Sequence, residues 1–128
     1  MKKIALIIYL SFSQLALGSQ WLDVGDIGTA KIYLDADSVD KSLYPMISYW
    51  KLADFSDAKL AGGSYVNSLR SRETINCKTK QYRVDQSTFF TGKMATGQPI
   101  QDRGDTTSFT YIAPDTVGDL FRNLLCKK

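Results

Sequence analysis

The chain has 128 residues, with 16 lysines and arginines, 13 aspartates and glutamates, and no histidine. That length suits one domain, and a net charge of +3 gives no global sign of nucleic-acid binding. The lack of histidine removes the commonest general base, transition-metal ligand and nucleophile-activating partner.

Residues 1–18 read as a secretory signal peptide. Lys2 and Lys3 precede an apolar run from Ile4 to Leu17, interrupted by Ser11, Ser13 and Gln14, and small residues stand at Ala16 and Gly18. A membrane anchor would need roughly 20 apolar residues, and this run is shorter and broken. Cleavage after Gly18 leaves Ser19 first. No cysteine follows the cut, so a lipid anchor of the bacterial lipoprotein type is not indicated. The mature domain is then 19–128. Cleavage takes two of the 16 basic residues and leaves 14 against 13 acidic ones, so the basicity of the whole chain partly belongs to its leader. No further stretch is long and apolar enough to span a membrane as a helix. The protein is expected to be exported, periplasmic or secreted, and not lipid-anchored.

Gln20 to Val24 alternates apolar and polar residues and predicts a first strand, closed by a turn at Gly25 to Gly28. Lys31 to Leu34 predicts a second strand. Met46 to Phe55 predicts a third, with Trp50 and Leu52 on one face and Ile47, Tyr49 and Ala53 on the other. Gly62-Gly63 marks a loop. A fourth strand, Ser64 to Cys77, sets Tyr65, Leu69, Ile75 and Cys77 against Arg70, Arg72, Thr74 and Asn76. Lys78-Thr79-Lys80 links it as a hairpin to a fifth strand, Gln81 to Thr91. Unbroken alternation there sets Tyr82, Val84, Thr88 and Phe90 against Arg83, Asp85, Ser87 and Phe89. Residues 92–105 read as a polar loop, and Thr106 to Ile112 as a sixth strand.

Pro114 ends the strand pattern. Thr116 is a helix N-cap with Asp119 three residues on, a capping-box spacing. Val117, Leu120, Phe121, Leu124 and Leu125 form the apolar stripe of an amphipathic helix. Six strands followed by one helix predict an α+β fold with an antiparallel sheet.

Cys77 and Cys126 are the two cysteines. In an exported chain they are expected to form a disulfide; two buried free thiols are the alternative. At about 100° per residue, Cys126 falls nearly opposite the centre of the apolar stripe. A bridge therefore requires the last helical turn to unwind or tilt.

Asp35, Asp37 and Asp40 invite a calcium reading. Counted from Asp35, the EF-hand positions for glycine and glutamate hold Asp40 and Met46, so the template fails. A polar turn in which Asp and Ser side chains bond nearby amides is the better reading. No metal or cofactor is expected.

Arg70, Arg72, Lys78, Lys80 and Arg83 gather around one hairpin. They form the candidate partner-binding patch, able to steer an acidic surface towards the protein; a solvated face whose lysines discourage aggregation is the plain alternative. Seven tyrosines, two tryptophans and six phenylalanines accompany them. Of these, Trp50, Tyr82, Phe89, Phe90, Phe109 and Tyr111 are candidates for a binding surface or for cross-strand core pairs.

A set of short segments then stands in a definite order: Trp21, Val24-Gly25, Tyr33-Leu34-Asp35-Ala36-Asp37-Ser38-Val39, Trp50-Lys51-Leu52, Ser68-Leu69-Arg70-Ser71 and Ile75-Asn76-Cys77. Tyr82-Arg83-Val84, Gly92-Lys93-Met94, Tyr111-Ile112-Ala113-Pro114 and Cys126 complete it. In order, spacing and cysteine pair, this layout resembles the surface-adhesin protein E family of Gram-negative bacteria. The resemblance implies a six-stranded antiparallel sheet with one C-terminal helix packed on it and tied by Cys77–Cys126. It also implies homodimers through the sheets, and an adhesin that binds host extracellular-matrix proteins.

The leading expectation is an exported, non-enzymatic module that binds a protein partner, either a host matrix protein or an envelope protein. The alternatives are a periplasmic envelope-associated accessory protein, or a small enzyme inhibitor acting through residues 92–105. A hydrolase would have to rely on carboxylates, with Glu73 as the sole glutamate.

Overall fold

The computed structural model describes residues 20–101 and 108–127. The expected signal peptide and the first residues of the expected sixth strand lie outside them. The strands are β1 (Trp21–Asp26), β2 (Ala30–Leu43), β3 (Met46–Ala61), β4 (Ser64–Asn76), β5 (Gln81–Phe90), β6 (Pro99–Gln101) and β7 (Thr110–Tyr111), followed by helix α1 (Val117–Leu125).

All of these strands pair antiparallel in one sheet, in the order β1-β2-β3-β4-β5-β6, with β7 also on β5. β6 pairs with Thr88–Phe90 and β7 with Gln81–Tyr82, so the two share the sixth position across the sheet. The expected six-stranded α+β sheet with a C-terminal helix is therefore what forms, its last strand split in two.

The hairpins follow from local chemistry. Between β3 and β4, Gly62 and Gly63 take φ of +55° and +79°, a conformation that side chains disfavour and that suits a tight hairpin. Between β4 and β5, Asn76 Oδ1 accepts from the amides of Lys78 and Thr79 at 2.9 and 3.1 Å. Its carbonyl accepts from Lys80 N.

The central strands outrun the expectations. β2 continues to Leu43 through the acidic segment, which is an irregularity within the strand rather than a turn after it. Asp35 pairs with Trp50, but the next partners are Asp40 and Ser48. The extra residues bulge outward, tied by Asp37 N to Asp35 Oδ1, Ser38 Oγ to Asp35 O, and Trp50 N to Ser38 Oγ. The expected bonding of Asp and Ser to nearby amides is present in this form.

A second bulge corrects the face assignment of β5. Arg72 pairs with Gln86 but Glu73 with Val84, leaving Asp85 as the extra residue. One extra residue inverts alternation on one side of it. Tyr82 and Val84 thus share a face with Ser87 and Phe89, while Arg83 and Asp85 share one with Thr88 and Phe90.

The main core lies between α1 and one sheet face. Ile32 and Leu34 of β2, Ile47 and Tyr49 of β3, Ile75 of β4, and Phe121 and Leu125 of α1 are buried there. The Tyr49 and Phe121 rings stack with centroids 4.9 Å apart. The helix begins as its sequence predicts, with Thr116 Oγ1 accepting from Asp119 N. In return, the Asp115 amide, one residue before the cap, donates to Asp119 Oδ2. At the other end α1 stops at Leu125. Cys126 is its C-cap, with ψ of 10° and its amide still bonded to Arg122 O. Cys126 bridges Cys77 from this end of the helix, with Cα atoms 5.7 Å apart.

Residues 92–101, expected as loop, are bonded to the sheet. A short turn, Lys93–Ala95, in which Met94 and Ala95 take positive φ of 55° and 60°, lies against β3 and β4, with Met94 N on Asp54 Oδ1 and Ala95 N on Ser68 Oγ. Lys93 Nζ reaches Asp54 and the Phe55 carbonyl. An inhibitor acting through a protruding loop has no support from this part of the segment.

Candidate functional site

Period-two alternation, anchored by the Tyr49–Phe121 stack, sets Trp50, Arg70, Arg72, Thr74 and Phe90 on the sheet face opposite α1. We refer to it as the outer face. Here the Arg70 guanidinium lies between two rings, 5.2 Å from Trp50 and 5.1 Å from Phe90. Such cation–π contacts order an otherwise mobile side chain. Arg70 Nε is buried and has no hydrogen-bond partner among the described residues. Neither Arg70 nor Arg72 forms a carboxylate ion pair among them.

Arg83 joins the same face from β5, placed there by the Asp85 bulge. Its Nε donates to Asp85 Oδ1 at 2.7 Å and its guanidinium stands 4.8 Å from the Phe109 ring. Asp85 Oδ2 also accepts from Thr74 Oγ1 at 2.6 Å. Arg83 is thereby fixed and partly neutralised.

The structure divides the five expected patch residues. Arg70, Arg72 and Arg83 share the outer face. Lys78 and Lys80 stand on the turn beyond the sheet end, exposed and separate from the arginines. The aromatic candidates also divide: Trp50, Phe90 and Phe109 meet arginines, Phe89 packs on Phe55 at 6.4 Å, and Tyr82 and Tyr111 lie on the helix side.

That helix side contains a feature the sequence reading missed. A concavity of about 460 Å³ opens between the sheet and the start of α1, lined among others by Lys51, Ser71, Tyr82, Val84, Tyr111 and Val117. At its base Glu73 is 4% exposed. It accepts from Tyr49 Oη at 2.8 Å and Ser71 Oγ at 3.2 Å, and pairs with Lys51 Nζ at 2.7 Å. Burial, then the Glu73 charge, pushes the Tyr49 phenol well above its ordinary value near 10.0. A lone glutamate inside a strand was the available signal, but its partners follow only from the β3–β4 register. Among the described residues, no group of three or more His, Cys, Asp or Glu is placed to bind a metal ion, and no helix is long and apolar enough to cross a membrane.

The fold matches solved structures. Haemophilus influenzae protein E superposes with a TM-score of 0.66 at 14% identity, covering 87% of this chain and 86% of that one. Its selenomethionine form gives 0.67 at 14% identity, over 87% and 88%. A second crystal form gives 0.65 at 13% identity, over 88% and 96%. No curated protein sequence matches the chain. The family model of surface-adhesin protein E matches residues 21–127, and the chain belongs to that family.

Proposed function

We propose that the chain is an exported, non-enzymatic binding module, residues 19–128 following a cleaved leader, that docks a host extracellular-matrix protein on its outer face. The observation that carries this reading is Arg70, ordered between Trp50 and Phe90 without a carboxylate ion pair among the described residues. Arginine and tryptophan are enriched among residues that dominate interface energy. A side chain already held in place gives up little freedom on binding. Arg72 beside it adds positive charge that favours an acidic partner surface and speeds encounter. Glu73, held by Tyr49, Ser71 and Lys51, has the environment of a structural carboxylate, in keeping with a non-enzymatic role.

The test is binding of the purified domain to a panel of extracellular-matrix glycoproteins, with Arg70→Glu/Arg72→Glu alongside. The reading expects at least one glycoprotein to bind, with the variant associating several-fold more slowly and with a flatter salt dependence. Equal association rates for variant and parent would exclude the outer face.

A further inference from the structure

The strand register brings exposed apolar side chains and lysines together at one end of the sheet. Leu43 pairs with Met46, Met46 with Asn76, Asn76 with Gln81, and Gln81 with Tyr111. At about 4.8 Å per step, this row is roughly 20 Å wide. Two turns project beyond it side by side, joined by Cys77 N donating to Pro45 O at 2.8 Å. Leu43 and Tyr111 are 74% and 75% exposed, and Tyr44 is 51% exposed.

Lys41 near the end of β2 and Lys78 and Lys80 on the second turn stand exposed, and the Cys77–Cys126 bridge brings Lys127 beside them. Neither 41–45 nor 77–80 contains an acid. The adjacent Asp40 accepts from Ser42 N and Oγ at 2.9 and 2.6 Å. Asp115 lies at the far end of α1, a helix length of about 14 Å from Cys126. The opposite end of the sheet differs. Its exposed cross-strand pair, Leu60 and Tyr65, is accompanied by Asp26, Asp57 and Lys59. Among the described residues, only the first end joins apolar tips to a positive surplus.

We propose that this end docks the protein on an anionic phospholipid surface. Leucine and tyrosine enter the boundary between headgroups and acyl chains, and the lysine ammoniums remain among the phosphates. Each lysine near such a surface strengthens binding several-fold, and salt weakens the effect. Docking through this end leaves the outer face open, so the inference goes beyond the proposed protein binding.

The experiment is flotation of the disulfide-bonded domain with phosphatidylcholine vesicles, with and without phosphatidylglycerol, at low and high salt. The proposal expects flotation only with phosphatidylglycerol and at low salt. Lys78→Glu/Lys80→Glu and Leu43→Ser/Tyr44→Ser should each weaken it about tenfold or more, while Leu60→Ser/Tyr65→Ser leaves it unchanged. All six positions are exposed, and circular dichroism checks that each variant is folded. No flotation of the parent, or equal loss in the Leu60/Tyr65 control, overturns the proposal. So does a self-association abolished by Leu43→Ser/Tyr44→Ser with no vesicle binding, which would assign this end to a second copy.

Discussion

Tyr49 and Glu73 are direct cross-strand partners, and the phenol donates a 2.8 Å hydrogen bond to the carboxylate while its ring stacks on Phe121 of the helix. One residue thus joins the sheet, the helix and the buried ion pair. Glu73→Ala removes an acceptor from Tyr49 and leaves Lys51, 17% exposed, without its partner. Breaking a buried pair from one side costs about 3–5 kcal/mol, and Tyr49→Phe should cost about 1–2 kcal/mol. Urea denaturation of the two variants checks both values.

The same pair predicts alkaline instability. The folded-state pKa of Tyr49 lies above 10.0 because burial and Glu73 disfavour the phenolate. This stability is fully present below the unfolded pKa near 10 and is lost as pH rises above it. Thermal midpoints should fall above about pH 10, and less steeply in Tyr49→Phe.

The disulfide fixes the end of α1 to the end of β4, joining cysteines at a sequence separation of 49. Replacing both with serine should cost up to about 4 kcal/mol. A thiol reagent applied to the denatured, unreduced protein should label nothing. Labelling of two thiols would contradict the bridge.

At the start of α1, the Asp115 amide and the Arg122 side chain hold the Asp119 carboxyl below its ordinary 3.8. Its contribution is present above the unfolded pKa and lost as pH falls through the lower folded value. Acid should therefore loosen the start of the helix below about pH 4, and Asp119→Asn should remove that response. Thr116→Ala, which deletes the cap, should cost about 1 kcal/mol. Amide exchange in α1 as a function of pH reads both effects.

Gly97 and Gly63 offer a controlled comparison. Both have positive φ, +82° and +79°, but a Cβ at Gly97 would meet Thr91 Oγ1 at 2.5 Å and Gly92 N at 2.9 Å, whereas one at Gly63 meets nothing within 4 Å. Gly63→Ala should cost about 1–2 kcal/mol from conformation alone. Gly97→Ala should cost more and loosen the turn at Lys93–Ala95.

Much of this was legible in the chain. Alternation located the central strands, and Thr116, Asp119 and the apolar stripe defined the helix. Two bulges escaped, because an extra residue at Asp85 or between Asp35 and Asp40 depends on the partner strand and leaves a sequence period looking intact. The Asp85 bulge sets Arg83 on the outer face with Arg70 and Arg72. Lys78 and Lys80 are close to these arginines in sequence, but the hairpin turn carries them away to the sheet end. The sequence marks Glu73 only as the sole glutamate, because its partners Lys51 and Tyr49 lie on the neighbouring strand and are distant in sequence.

The most direct test of an exported binding module is reaction of a membrane-impermeant amine reagent with intact cells, compared with cells whose outer membrane has been permeabilised. Lys41, Lys78, Lys80 and Lys93 are exposed and report on access. The account predicts equal labelling of the protein in both samples, or its recovery from the medium. Labelling only after permeabilisation would confine it beneath the outer membrane and contradict a matrix-binding role.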